Sequence, residues 1–320
     1  MDKESMLQAV ASHDSLQRFM FDDLAVRGSV AALSESWRQS QGEHNYPTVV
    51  QSLLGELLAA ACLLSASLKF DGSIILQIHG DGPVKLLVAE CESGQQVRAT
   101  ATLAPDAGAL AADASFQSLV NREGRGRFML TLAGKNQQQP YKGIVPLDGD
   151  NIAQALQHYM LRSEQVDTEL MLAANGEYAR GLLLQKMPSH GGVMSPEQAA
   201  EVAERQSQGW LQLQALCNTV KSAEMLAVDV GVLLHRLFWE QDMRLFDAQE
   251  LRFFCPCSRE KVGNMLKMMG RDEIESALAD VGKLEVACQF CGRNYLFDAV
   301  DCAQLFIGDG GSGEAQGTRH

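Results

Sequence analysis

The chain has 320 residues, 46 % of them hydrophobic and 21 % charged, with 28 Gly and 8 Pro; these globular proportions exclude collagenous, coil-forming and disordered classes. At about 150 residues per domain, the length predicts two domains, one with a full core and one smaller. The 40 Asp+Glu against 27 Lys+Arg give a formal net charge of −13, which argues against a nucleic-acid or anionic-membrane partner, because neutralising phosphates needs clustered cations.

Residues 1–14 read as a frayed polar leader, with acidic residues where a signal peptide carries a basic region and no apolar block after them. The longest apolar runs, such as Leu57 to Leu64, fall short of the roughly 20 residues a membrane span needs. A soluble, cytoplasmic chain with reduced thiols is therefore expected. Ile74 to Ile78 and Val84 to Val88 flank Gly80-Asp81-Gly82-Pro83 and predict a hairpin whose glycines can take positive φ. Further strands are predicted over Gln96–Leu103, Arg127–Leu132, Lys142–Leu147, Thr168–Ala173 and Tyr178–Gln185. Pro47 to Leu64 carries a helical apolar pattern at Val50, Leu53, Leu54, Leu57, Leu58 and Cys62, and Asn151 to Arg162 predicts a shorter helix. Many strands and few helices imply an α+β fold: a mixed α/β core domain over 15–187 with mainly antiparallel sheet.

Pro188 to Ser195 is a break that opens a helical linker over 188–245. Ser195-Pro196-Glu197 has helix-start chemistry: an N-cap hydroxyl, Pro in the first turn and an acid beside it. Three helical stretches follow. Trp210, Leu213, Cys217 and Val220 mark one face of the second, and Val230, Leu233, Leu234, Leu237 and Phe238 follow the amphipathic template in the third. These stripes either pack on their neighbours as in any globular protein or form a detachable face that also binds partners. A compact, cysteine-bearing domain follows over 246–307, and residues 308–320 form a low-complexity tail expected to be disordered.

Four of the eight cysteines form two tight pairs, Cys255-Pro256-Cys257 and Cys288-Gln289-Phe290-Cys291, thirty residues apart. Two close pairs joined by a spacer are what a tetrahedral zinc site requires, each pair giving two ligands from one short knuckle. No His lies in this segment, so the ligand set is Cys₄, which closes every coordination position and leaves none for an activated water. Gly292 suits a knuckle turn, and Phe253, Phe254, Tyr295, Leu296 and Phe297 read as strand and core material. Val262, Met265, Leu266 and Met269 mark one helix face, and Asp272 with Glu275 reads as a capping box opening another helix. Cys62, Cys91 and Cys217 read as small buried hydrophobes; Cys302, near Cys291 in sequence, is a candidate competing thiol. A disulfide between Cys255 and Cys257 would close a small strained ring, easily reduced again. A segment of about 60 residues is marginal on its core alone, whereas structural zinc contributes roughly 10–16 kcal/mol. Losing the metal should unfold the segment, loosen a neighbour that relies on it and uncover the stripes of Trp210 to Phe238.

CPCSRE, a thirty-residue spacer and CQFCGRNYLFD, together with FDDLAVRG at 21–28, LKFDGSIILQIHGDGP at 68–83 and YMLRSEQ at 159–165, resemble the redox-regulated heat shock protein 33 chaperones from about Ser15 to Ile307. The resemblance implies a substrate-binding α/β core, a helical linker folded over it and a C-terminal zinc domain. It implies an ATP-independent holdase, not an enzyme, that is inactive while reduced and holding one Zn²⁺ per chain on Cys255, Cys257, Cys288 and Cys291. Oxidation would pair Cys255 with Cys257 and Cys288 with Cys291, release zinc, unfold the C-terminal region and yield a homodimer that binds unfolding client proteins. The candidate client-binding surface is Trp210, Leu213, Val230, Leu233, Leu234, Leu237 and Phe238. No GxxxxGK[ST] phosphate loop is present, in keeping with ATP independence. Pro256 within the first pair departs from the family pattern. Two other functions compete. A constitutive zinc ribbon docking nucleic acid lacks an electrostatic footprint, since Arg252 to Asp301 holds seven cationic and eight anionic residues. A thiol oxidoreductase using Cys288 and Cys291 would favour a lone CxxC at a helix N-terminus.

Overall fold

The computed structural model describes residues 13–67, 71–135, 139–188 and 195–306. The expected leader through residue 12, the Gly-rich break at 189–194 and the tail at 308–320 lie outside the described residues. Contacts divide the chain into one unit of Met1–Gln41 with Asn45–Phe254 and another of Gly42–His44 with Cys255–His320.

The first unit opens with β1 (Ser15–Phe21) and β2 (Val26–Leu33), an antiparallel pair followed by the short α1 (Glu35–Gln41) and then α2 (Thr48–Ser67). β3 (Gly72–His79) and β4 (Val84–Glu92) form the predicted hairpin, Ile74 opposite Cys91 and Ile78 opposite Leu87. Its turn glycines serve close approach instead of positive φ: a Cβ on Gly80 would stand 2.1 Å from the Val84 carbonyl oxygen. β5 (Gln96–Leu103), α3 (Phe116–Val120), β6 (Arg127–Gly134), β7 (Tyr141–Pro146), α4 (Ile152–Ser163), β8 (Thr168–Ala174) and β9 (Ala179–Lys186) follow. The linker supplies α5 (Pro196–Cys217), α6 (Ser222–Ala227) and α7 (Val230–Phe238), and the unit ends in three short strands, β10 (Met243–Leu245), β11 (Gln249–Glu250) and β12 (Arg252–Phe253).

Two sheets result. The first has the order β10-β1-β2-β9-β8 with β11 also on β1, and every pairing is antiparallel. The second has the order β12-β5-β4-β3-β6-β7, antiparallel except where β12 runs parallel to β5. The α+β reading with mainly antiparallel sheet therefore holds.

α2 packs against strands of both sheets, and the apolar positions expected of it, Val50, Leu53, Leu54, Leu57, Leu58 and Cys62, are all buried. Its buried residues, Leu53, Leu54, Leu57, Leu58 and Ala59 to Leu64 among them, surround the axis, because a helix covered on both sides must be apolar nearly all round. At 20 residues it is also long and apolar enough to cross a membrane by length and composition, whereas the sequence reading placed every apolar run well short. Here it is the core helix, buried with Leu16, Trp37, Ile74, Leu76, Leu87, Phe128 and Leu183.

The opposite face of the first sheet carries the linker helices. Ser195 caps α5 as predicted, its hydroxyl accepting from the Gln198 N–H at 3.2 Å while Gln198 Oε1 accepts from the Ser195 N–H at 3.1 Å, so Gln198 closes a capping box. Trp210, Leu213 and Cys217 lie on this first linker helix and Val220 falls beyond its C-cap, a shift from the expected placement of all four on a second helix.

The second unit contains α8 (Arg259–Met269), α9 (Arg271–Val281), the hairpin of β13 (Leu284–Ala287) and β14 (Asn294–Phe297), and α10 (Ala299–Leu305). Its described core is small: Leu266, Ile274, Tyr295, Phe297 and Cys302 are the buried members. Met265 and Met269 are exposed, as are Phe254 in the first unit and Leu296 on β14, so the expected apolar sets reduce to Val262 with Leu266 and Tyr295 with Phe297. α9 has no side-chain cap at Gly270; Glu275 instead pairs with Arg271 one turn away, at 3.4 Å, and the capping box stands at Asp298 and Asp301 on α10.

Candidate metal and thiol centre

Cys255 and Cys257 lie on the extended segment between β12 and α8, and the helix begins immediately after them because the Ser258 hydroxyl accepts from the Lys261 N–H at 3.2 Å. Cys288 and Cys291 lie on the turn between β13 and β14. The Cys288 N–H donates to the Arg293 carbonyl at 2.9 Å and the Gly292 N–H to the Cys288 carbonyl at 2.8 Å. Gly292 has φ +72°, a conformation that glycine takes without the Cβ penalty other residues meet.

The two knuckles bring the four Sγ atoms within 4.8 Å of one another. Close pairs run across the motifs, Cys255 to Cys288 at 3.6 Å and Cys257 to Cys291 at 3.4 Å. A tetrahedron of sulfurs about 2.3 Å from a zinc ion has edges of roughly 3.8 Å, so the donor set and its spacing fit that ion. All four thiols are free and half-buried.

Burial pushes the Cys255 and Cys291 thiols up, Cys291 to about 12, and hydrogen bonds with the other thiols add to the rise. Burial pushes Cys257 up as well, but hydrogen bonds from the Tyr295 hydroxyl and the neighbouring thiols outweigh it and bring this thiol down to about 7. The Tyr295 hydroxyl donates to Cys257 Sγ at 3.1 Å. Four contiguous thiolates repel one another, and a divalent cation among them removes that penalty. Arg259, on the first turn of α8, stiffens the unit: it donates to the Leu296 carbonyl at 2.6 Å, pairs with Asp301 at 2.7 Å and lies 4.3 Å from the Phe297 ring centroid. The sequence marks Tyr295 only as strand and core material, because nothing in the spacing reveals a hydroxyl aimed at a sulfur.

Cys62, Cys91, Cys217 and Cys302 are buried, as read from sequence for the first three; Cys302 sits in the second unit's core. The candidate client surface is also covered. Trp210, Leu213, Val230, Leu233, Leu234, Leu237 and Phe238 are all buried, packed on Phe19, Phe21, Val26, Val30, Leu182 and Leu184 of the first sheet. Phe238 meets Phe21 edge-on at 5.2 Å between centroids. Two polar ties hold the linker to the sheet. The buried Arg180 on β9 donates to the Met225 carbonyl at 2.9 Å and also to that of Val228, and Gln214 on α5 donates to Glu169 at 3.0 Å. Neither tie was legible beforehand; an arginine inside the apolar run Ala179–Lys186 was the available signal.

Two six-stranded sheets around a core helix, with a small second unit carrying four converging thiols, define a two-unit α+β protein with a Cys₄ centre. The sequence matches the model of the Hsp33 protein family over residues 14–298, and the chain belongs to that family. It is 42 % identical over 294 residues to the 33 kDa chaperonin of Methylobacillus flagellatus, covering 92 % of this chain and 94 % of that one. It is 43 % identical over 309 residues to the 33 kDa chaperonin of Ectopseudomonas mendocina, covering 96 % of this chain and all of that one. The fold is similar to the crystal structure of the 33 kDa chaperonin, a heat shock protein 33 homolog, of Thermotoga maritima, with a TM-score of 0.72 at 21 % identity over 92 % of this chain and 98 % of that one.

Proposed function

We propose that this chain is a cytoplasmic, ATP-independent chaperone whose binding of unfolding proteins is controlled by the oxidation state of Cys255, Cys257, Cys288 and Cys291. The carrying observation is that four free, half-buried thiols converge within 4.8 Å in a unit whose buried core numbers five described residues. One zinc ion per chain, held by these four sulfurs, would supply roughly 10–16 kcal/mol toward folding with no coordination position left for catalysis. The thiol pair of Cys288 and Cys291 sits on a strand-to-strand turn and does not open a helix of its own, which supports a switch over a thiol oxidoreductase.

Oxidation by a peroxide would take two electrons from the thiolates of Cys255 and Cys257, and two from those of Cys288 and Cys291, each disulfide forming as one hydrogen peroxide takes up two protons from solvent and becomes two waters, with the zinc ion released. Sulfurs joined in this way no longer act as thiolate ligands. The unit then loses the interaction that compensates its small core and unfolds. Cys255 is separated from the short strands over 243–253 by Phe254 alone, so loss of order would reach them along the backbone. Undocking of the linker would bare Trp210, Leu213, Val230, Leu233, Leu234, Leu237 and Phe238 along with the sheet face beneath, surface suited to unfolded clients and to a second oxidised copy.

The test combines zinc and free-thiol titration before and after peroxide with circular dichroism and the aggregation of a thermally unfolding client. One zinc and four thiols lost per chain, falling helix content and suppressed aggregation only after oxidation are expected. Equal suppression by the reduced, zinc-loaded and oxidised forms would overturn the proposal.

A further inference from the structure

A tyrosine hydroxyl stands against the thiol centre. Tyr295 and Phe297 share the inward face of β14, alternating with the exposed Asn294 and Leu296, and Tyr295 pairs in register with Val286 of β13. Tyr295 is 8 % exposed and packs in the unit's core with Leu266, Ile274, Phe297 and Cys302. A phenylalanine ring would fill that place equally well. What the hydroxyl adds is one hydrogen bond, donated to Cys257 Sγ at 3.1 Å.

Other donors to the sulfurs differ in kind. The Cys257 N–H serves Cys255 and the Arg293 N–H serves Cys291; both are backbone groups held by the knuckle turns. The Tyr295 hydroxyl belongs to a side chain, so it can be deleted without moving the backbone. Its direction is set by its neighbours. The Arg293 guanidinium hydrogen-bonds the same oxygen and has no lone pair to offer, and a metal-bound thiolate has no proton to give, so the tyrosine proton lies between oxygen and sulfur. Four thiolates around a divalent ion leave a net negative charge, and a donor aimed at one of them stabilises the loaded centre more than the empty one. The same bond draws on the sulfur lone pair that an oxidant must meet.

We propose that Tyr295 is a positioning residue that sets the oxidant threshold of the thiol centre: its hydroxyl holds Cys257 as a metal-ligating thiolate and blunts that sulfur's attack on peroxide. The assignment rests on the redox reading above and deepens it. In the step that Tyr295 slows, the Cys257 thiolate attacks one oxygen of hydrogen peroxide, the O–O bond breaks, and the sulfur becomes a sulfenic acid as hydroxide leaves. The Cys255 thiolate then displaces a second hydroxide from that sulfur and closes the disulfide.

The test is Tyr295→Phe in the full-length reduced protein, beside the wild type. Loss of a hydrogen bond to a ligating sulfur should weaken zinc binding about ten- to a hundredfold, read by competition with a chromophoric chelator. Nucleophilicity follows roughly half of such a change on a logarithmic scale, so peroxide should release zinc from the variant about three- to tenfold faster. In the cobalt(II)-substituted protein the sulfur-to-metal charge-transfer band should move to lower energy, a shift that packing alone does not give. The zinc-saturated variant should keep the native amide shifts of Leu266, Ile274 and Phe297. Unchanged zinc affinity, an unmoved cobalt band, zinc release no faster than in the wild type, or loss of those core shifts at saturating zinc would overturn the assignment. Zinc release by the wild type with no new client binding would instead count against the redox reading, while the comparison of the two proteins still decides the role of Tyr295.

Discussion

At the scale of single residues, the four paired cysteines were legible from spacing because metal ligation constrains residue type and local separation together, and both are visible in a linear chain. Glu56 was not. It sits on α2, amid Leu53, Leu54, Leu57 and Leu58, and a carboxylate within an apolar helix reads as its solvent face, whereas here it is half-buried in a pocket lined by Leu170, Met171 and Leu172 of β8 and by Val220 and Met225 of the linker. Burial alone raises its carboxyl from the ordinary 4.5 to about 7. An acid whose folded value is raised binds its proton more tightly when folded, so the stability it permits is full below about pH 4.5 and is lost as the pH rises through about 7. At 1.36 kcal/mol per unit, the penalty at pH 8 is about 3 kcal/mol at most. Glu56→Gln removes the charge and keeps the shape. It should therefore raise the stability of the reduced, zinc-loaded protein by about 1–3 kcal/mol at pH 8 and change it little at pH 5. Urea midpoints at the two pH values measure this, and a variant equally stabilised or destabilised at both would show that Glu56 is not held neutral by burial.

At the scale of elements, alternating and helical patterns gave β3 through β9, α2, α4 and the linker stripes to within a few residues. They missed β1 and β2, whose sequences SLQRFMF and VRGSVAAL mix polar and apolar residues without a period. β10 and β11 were missed because strands of two or three residues carry no period at all, while Phe253, read as strand material, does lie on β12. The linker was legible as amphipathic, but its two readings could be separated only by seeing what it covers: a sheet face whose strands present Phe19, Phe21, Val30 and Leu182. Leu234, 2 % exposed on α7, tests how tightly that layer is held. Leu234→Ala should cost about 2–5 kcal/mol as a core truncation. If the linker docks as a layer, the loss should appear as faster amide hydrogen exchange across residues 196–238 and stronger binding of an environment-sensitive apolar dye to the reduced protein. Leu211→Ala, at a residue 62 % exposed on α5, should do neither. Exchange accelerating equally in β3 and β4 would mean that the linker and the α2 core melt as one.

At the scale of the whole molecule, the two units differ in what holds them. The first has two extensive apolar clusters, one on each face of its first sheet, and no described feature in it calls for a metal. The second has its small cluster, three short helices, a hairpin of two four-residue strands and the thiol centre. Roughly 60 residues with so few buried side chains lie near the limit of independent folding, and a contribution on the order of 10–16 kcal/mol from metal ligation is far larger than that margin. Metal removal and thiol oxidation should then be separable causes with one structural result. Stripping zinc from the fully reduced protein with a high-affinity chelator should release one equivalent, abolish the chemical-shift dispersion of residues 255–306 and leave the β3–β4 hairpin and α2 protected from hydrogen exchange. Added zinc should restore the lost signals while the thiols stay reduced. Retention of native shifts at Leu266, Ile274 and Phe297 after complete metal loss would mean that the five-residue core suffices, and the link between sulfur chemistry and exposure of the linker face would fail with it.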